Sequence, residues 1–184
     1  MKVLGISGSL RKGSFNSALL RAAIELAPDE MTIETASIAD IPLYDEDLRQ
    51  SGGYSPAVAA FRAAIAGADA LLIATPEYNF SIPGVLKNAI DWASRPPDQP
   101  FAGKPVALMS ASNGMLGGAR AQYHLRQTFV FLDMHPVNRP EVFVGRVADK
   151  IDAQGVLTDE PTRQVIRTLL EALARWTQRL GRVP

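Results

Sequence analysis

The chain has 184 residues, balances 19 Lys and Arg against 19 Asp and Glu, and has no Cys. That length predicts one domain, residues 1–184, with a substantial buried core. The charge balance removes any bulk electrostatic reason to bind nucleic acid or an anionic membrane. The missing Cys excludes disulfides, thiolate metal sites and Cys nucleophiles, and suits a reducing cytoplasm.

Val3-Leu4-Gly5-Ile6 reads as a buried strand. Neither a signal-peptide pattern nor an apolar run long enough to span a bilayer is evident, so a soluble cytoplasmic protein is expected. The strand delivers the turn Ser7-Gly-Ser-Leu-Arg-Lys-Gly-Ser-Phe-Asn-Ser17 to a segment where Ala18, Leu19, Ala22, Ala23 and Leu26 recur at helical spacing. A helix start offers unpaired N–H groups and a partial positive charge, and therefore holds phosphate well. Ser9, Ser14, Ser17, Asn16 and Arg11 add donors suited to a phosphate monoester. The turn is not a P-loop, because Ser14 stands where the Lys belongs, and the dinucleotide fingerprint is absent because Gly5, Gly8 and Gly13 are wrongly spaced. The alternative is an ordinary strand-to-helix loop whose Ser or Asn caps the helix.

Met31–Ala36 alternates and reads as a second strand; Ile41 to Gly53 reads as a long surface connection. Ser55-Pro56 announces a helix ending at Gly67. Ala68–Ala74 is a near-continuous apolar run, as for a strand covered on both faces. The loop 75–81 follows, then a helix from Pro83-Gly84 with Val85, Leu86, Ala89, Ile90 and Ala93 as its buried stripe. Lys104–Ala111 is another buried strand, leading to the small-residue loop 112–118 and a helix through about Phe131. Met134–Val137 reads as a short edge strand, since Pro136 lacks an N–H. Residues 140–157 read as irregular, with a short hairpin around Gly155. Thr158 or Asp159 caps a last helix whose core face is Val165, Leu169, Leu173, Trp176 and Leu180. Five alternations of strand and helix predict a parallel sheet flanked by helices.

Ligands of such sheets sit at the carboxyl ends of the strands, so the loops 8–17, 75–81 and 112–118 are expected to share one rim. A flat group carried by the phosphate would then lie between Pro76, Glu77, Tyr78, Asn79 and Phe80 on one side and Ser112, Asn113, Gly114 and Gly117 on the other. Backbone donors beside a ring suit a flavin, and glycine lets the main chain approach closely. Tyr78 and Phe80 are equally compatible with core packing, and Glu77 with a solvated carboxylate. His124 and His135 read as structural.

Gly8–Asn16, Thr75-Pro-Glu-Tyr-Asn79 and Pro83–Trp92 resemble the NADPH-dependent FMN reductase family, and Gly117–Gln127 is similar to its chromate or quinone reductase branch. The resemblance covers nearly the whole chain. It implies a flavodoxin-like three-layer sandwich with a five-stranded parallel sheet of order 2-1-3-4-5. It also implies noncovalent FMN, with the phosphate on Ser9, Arg11, Ser14, Asn16 and Ser17, the ring on Pro76, Glu77, Tyr78 and Asn79 with the 112–117 loop at its far edge, and Phe15 and Phe80 also among the cofactor-binding residues. NAD(P)H would be the electron donor, and a quinone or another small acceptor (chromate, an azo compound, free flavin) the recipient, in a ping-pong hydride relay. The implied assembly is a homodimer or homotetramer with flavin sites near the subunit contact. The helices 83–94 and 118–131 are candidates for that contact. A Tyr at position 80 joins a polar contact with groups like Arg95, Tyr123 and Glu141 in a tetrameric member; here Phe80 removes that hydroxyl. The competing functions are an electron-carrying flavodoxin, which the balanced charge disfavours, and a nucleotide-binding regulatory domain without turnover.

Overall fold

The computed structural model describes residues 1–181. In chain order its elements are β1 (Lys2–Ser7), α1 (Phe15–Glu25), β2 (Thr32–Ala36), α2 (Glu46–Gly52), α3 (Pro56–Ala66), β3 (Ala70–Thr75), α4 (Gly84–Ala93), β4 (Pro105–Ala111), α5 (Ala119–Leu132), β5 (His135–Pro136), β6 (Val142–Val144) and α6 (Glu160–Leu180). Every residue of β3 and β4 is buried, which is why both read as unbroken apolar runs. All pairings between these strands are parallel, in the order β2-β1-β3-β4-β5, with β6 also on β4.

Alternation along the strands sorts side chains into two cores. On one face Leu72, Ala74 and Met109 meet Leu19 of α1 and Ile166, Leu169 and Leu173 of α6. On the other, Leu71, Ile73 and Leu108 meet Phe61 of α3, Leu86 and Ile90 of α4, and Leu125 and Phe129 of α5. Each buried Leu, Ile, Met or Phe among them contributes about 1.5–3 kcal/mol relative to exposure. Polar side chains terminate the helices. Ser14, Asp45, Ser55 and Asp159 each accept a first-turn N–H, of Ser17, Asp47, Val58 and Thr162 respectively.

The expected three-layer fold and strand order are observed, with differences in detail. The sheet has six strands rather than five, because Val142–Val144, read from the sequence as irregular, pairs with Met109–Ala111. β5 pairs only with Pro105 and Val106, so the edge beside β4 is filled by two short pieces in succession. Pro136 and Pro140 lack the N–H that a continuous strand would need there. Three apolar residues are too few to show a period, and β6 exists because β4 offers it an open edge. The connection 41–53 contains the seven-residue helix α2, which buries none of its residues and so leaves no hydrophobic stripe to read. α6 is rotated from the expected face: Val165 is 38 % exposed, while Ile166, Leu170 and Ala174 are buried with Leu169 and Leu173. Two apolar registers overlap at Leu169 and Leu173, and packing against the sheet selects the second. The hairpin near Gly155 is present, closed by the bridge between Ile151 and Leu157.

Candidate functional site

β1 ends in a turn held against its neighbour, where the Gly8 N–H donates to the Ala74 carbonyl at 2.8 Å. A Cβ on Gly8 would stand 3.1 Å from both Leu86 Cδ2 and Thr75 Oγ1, so glycine lets the first loop lie close to the second. The Ser14 side chain then caps α1, accepting from the Ser17 N–H at 3.2 Å. The N–H groups of Lys12, Gly13, Phe15 and Asn16 have no intramolecular acceptor among the described residues. Ser9 accepts weakly from the Arg11 N–H at 3.4 Å, and the Ser17 hydroxyl meets Ser7 Oγ at 2.8 Å. The Arg11 guanidinium lies 4.9 Å above the Phe15 ring. Unpaired N–H groups at a helix start, with hydroxyls and a cation around them, fit a phosphate monoester.

Asn16 occupies a different place from the one its amide suggested. Its side chain is 2 % exposed and points inward. Nδ2 donates to the Ala111 carbonyl at 3.1 Å while Oδ1 accepts the Ala111 N–H at 2.9 Å, a two-point clamp between α1 and the end of β4. The amide joins the first loop to the third, and the Asn16 backbone N–H stays free as a donor at the helix start.

The second loop leaves β3 through the buried Pro76 and closes a tight turn. Tyr78 and Ser81 exchange N–H···O bonds of 3.1 and 2.9 Å, and Asn79 and Phe80 between them take φ of 51° and 62°. Two successive left-handed residues are the signature of a type I′ turn, in which a bulky Phe is unusual and strained. The turn is braced on α5. Glu77, with its side chain only 12 % exposed, accepts the Ala121 N–H at 3.2 Å and pairs with Arg120 at 3.6 Å. The Arg120 guanidinium lies 4.0 Å over the Phe80 ring, and Ser81 Oγ meets His124 Nδ1 at 3.0 Å.

Gly118, the residue before α5, has φ 88° and no capping side chain, so Glu77 supplies the cap from another loop. The solvated reading of this carboxylate does not describe that role. Replacing Glu77 by Ala is expected to cost about 1 kcal/mol of stability, typical of a lost cap. Amide exchange at Ala121 and through the 77–81 turn should quicken measurably; unchanged protection there would refute the brace.

The third loop is fastened from below. Ser112 N–H donates to the Val144 carbonyl at 3.1 Å, and Ser110 Oγ donates to the Gly117 carbonyl at 2.6 Å. Gln122, 1 % exposed, donates to Ser110 Oγ at 2.8 Å and to the Val142 carbonyl at 2.9 Å. Its Oε1 is the one buried side-chain polar atom without a partner among the described residues. Asn113, Gly114, Met115 and Leu116 form the exposed tip, and the N–H groups of Asn113, Gly114 and Met115 have no intramolecular acceptor among the described residues.

All three loops therefore meet at the carboxyl edge of the sheet, as their placement after β1, β3 and β4 requires. The aromatic side chains Tyr78 and Phe80, 52 % and 63 % exposed, stand at that rim rather than in a core. Free N–H groups at Asn113, Gly114 and Met115 face the chemistry of a heteroaromatic edge, and the first loop that of a phosphate. The sequence offers no signal for the roles of Ser7 and Ser110, and although Arg120 and Gln122 lie within the Gly117–Gln127 motif, their roles as brace of the second loop and anchor of the third depend on tertiary contacts.

Fold and site together define a flavodoxin-like α/β protein with a mononucleotide-type rim. Residues 1–149 match the family model described as NADPH-dependent FMN reductase, and the chain belongs to that family. It is 61 % identical over 180 residues to an NAD(P)H-dependent FMN reductase of Pseudomonas aeruginosa, covering 98 % of this chain and 97 % of that one. It is 48 % identical over 182 residues to the quinone reductase of Escherichia coli strain K12, covering 98 % and 97 %. Among solved structures, the flavoenzyme NAD(P)H:(acceptor) oxidoreductase FerB from Paracoccus denitrificans superposes with a TM-score of 0.87 at 35 % identity, over 97 % of each chain.

Proposed function

We propose that this chain is an FMN-dependent NAD(P)H oxidoreductase whose acceptors are quinones or similar small oxidants, chromate, azo compounds and free flavin among them. The observation that carries this reading is the convergence of three loops with unpartnered N–H groups at one rim, in a member of a flavin reductase family. Ser9, Arg11, Ser14, Phe15, Asn16 and Ser17 would surround the phosphate, with the free Asn16 backbone N–H among the donors. Pro76, Glu77, Tyr78, Asn79 and Phe80 would flank the ring, with Ser112, Asn113, Gly114 and Gly117 at its other edge. When bound, FMN would supply the hydride chemistry between the reduced nicotinamide and the acceptor.

The protein's part is to position and to polarise. Backbone N–H groups of the 112–118 loop would stabilise negative charge on the ring, and the rigid 77–81 turn would set its tilt. Tyr78 and Phe80 offer an apolar wall that excludes water from a stacked substrate. No acid–base pair is required of the side chains. Purified protein should be yellow, oxidise NADPH or NADH, and reduce a panel of quinones in a ping-pong pattern; a colourless chain that takes up no FMN would overturn the assignment.

The same reading includes a homo-oligomer of two or four chains and a cytoplasmic location. Val130 and Phe131 on the outer face of α5 are 84 % and 83 % exposed, close in sequence to Tyr123 and Gln127 on the same face, and such a patch suits a subunit contact. Within the chain the Tyr123 hydroxyl donates to Glu141 at 2.9 Å, which pushes the phenol pKa up. Arg95 lies elsewhere, over the Tyr44 ring at 5.4 Å. No helix among the described residues is long and apolar enough to cross a membrane.

A further inference from the structure

Beside the first loop, on the side away from the ring-flanking loops, a cavity of about 410 Å³ runs between α1 and the exit of β2. Its size falls in the range of small-molecule sites. Ser9, Arg11 and Ser17 of the phosphate loop line its near end, so it is continuous with that loop. Arg21 of α1 lines it as well; its guanidinium donates to the Gly155 carbonyl, which is not part of the lining, at 2.9 Å, and its other N–H groups are free among the described residues. Neither Arg11 nor Arg21 is paired with a carboxylate among the described residues, and no acidic residue lines the cavity. Its walls include two large apolar side chains left in water, Leu10 at 49 % and Ile24 at 41 % exposed. Thr35 and Ser37, at the end of β2, add exposed hydroxyls.

This combination is selective. A bare inorganic anion would leave the apolar walls wet, and a purely apolar ligand would leave two guanidinium groups unanswered. A flat base between Leu10 and Ile24, a sugar against Thr35 and Ser37, and a phosphate between Arg11 and Arg21 would use every feature. We propose that this groove is the seat of a nucleoside monophosphate, namely the half of a dinucleotide that extends beyond the mononucleotide rim. The inference rests on the FMN reading above for what occupies the rim. The shared chemistry has two sources, the adenylate half of the nicotinamide dinucleotide and the adenylate half of FAD in place of FMN.

The test is calorimetric titration of the FMN-loaded protein with adenosine 5′-monophosphate. Saturable binding is expected, weakened about tenfold or more by Ile24→Glu and by Arg21→Gln, both at exposed positions of α1, with FMN affinity unchanged within about twofold. Steady-state turnover then separates the sources. If the nicotinamide dinucleotide is the source, NADPH has a lower KM than reduced nicotinamide mononucleotide, and the two substitutions erase that advantage. If FAD is the source, the flavin-stripped chain binds FAD more tightly than FMN, and the substitutions erase that difference instead. The proposal is overturned if the monophosphate does not bind, if neither substitution weakens it, or if FMN displaces it. Failure of the chain to bind FMN would instead overturn the function proposed above, while the titration still reads the groove.

Discussion

Replacing Asn16 by Leu should lower the unfolding free energy by about 2–5 kcal/mol, because it strips both partners from the buried Ala111 peptide at once. A buried N–H and a buried C=O left without partners each cost about 1–3 kcal/mol, whereas the Leu adds little apolar burial in a site shaped for an amide. The same substitution frees the start of α1 from the end of β4, so FMN affinity should fall about tenfold or more. Urea titration followed by circular dichroism reads the first effect, and flavin fluorescence quenching the second. An unchanged midpoint would sink the clamp.

Asn16→Asp separates the two bonds of the clamp. One carboxylate oxygen still accepts the Ala111 N–H, but the other faces the Ala111 carbonyl, which repels it unless the carboxyl is protonated. Burial and that repulsion raise the folded-state pKa of the new Asp above its unfolded value. The folded state then binds the extra proton, and stability decreases as pH rises from the unfolded to the folded pKa. The variant should thus be weakened at neutral pH and regain stability on acidification relative to the parent. A penalty independent of pH would mean that the amide donor does nothing at Ala111.

Gly117→Ala is expected to be comparably severe. Gly117 has φ 57°, and a Cβ there would lie 2.6 Å from Phe143 C and Val144 N, both backbone atoms of β6. The left-handed conformation costs a non-glycine residue about 1–2 kcal/mol, and overpacking against a backbone that cannot rotate away adds about 1–3. Destabilisation of about 2–5 kcal/mol follows, with a larger fall in FMN affinity than in stability, because the loop that moves is the loop at the ring edge. Gly145 faces the same contact from the other side, its would-be Cβ lying 2.5 Å from the Met115 carbonyl oxygen. Gly84→Ala is the control: nothing lies within 4 Å of its Cβ, and it starts α4 without a positive φ. Thermal unfolding should leave that variant equal to or slightly above the parent. If Gly117→Ala and Gly84→Ala melted alike, the close approach of the third loop to β6 would be of no consequence.

The two glycines show why part of the site escapes a reading of the sequence. Gly117 stood out as a small residue in a small-residue loop, but the need for it arises from Phe143 and Val144, in a strand of three residues that has no period to detect. Asn16 likewise was visible as a polar residue at a helix start. Whether its amide faces a ligand or the Ala111 peptide depends on what α1 lies against, 95 residues further along the chain. Glu77 is legible as a member of a motif, not as the cap of a helix whose capped N–H lies 44 residues later.

The chain's own pattern was enough for the rest. Unbroken apolar runs at β3 and β4, helical stripes between strands, and Ser-Pro, Gly and Pro punctuation specify a parallel α/β sandwich, since each is a local consequence of burial and backbone geometry. Topology alone then puts the loops after β1, β3 and β4 on one rim, because parallel strands end on the same side. Tertiary structure decided what local pattern cannot encode: the sixth strand on the open edge of β4, the face that α6 turns inward, and the inward turn of Asn16. Each of these depends on which surface a segment meets, and such meetings are between residues far apart in the chain.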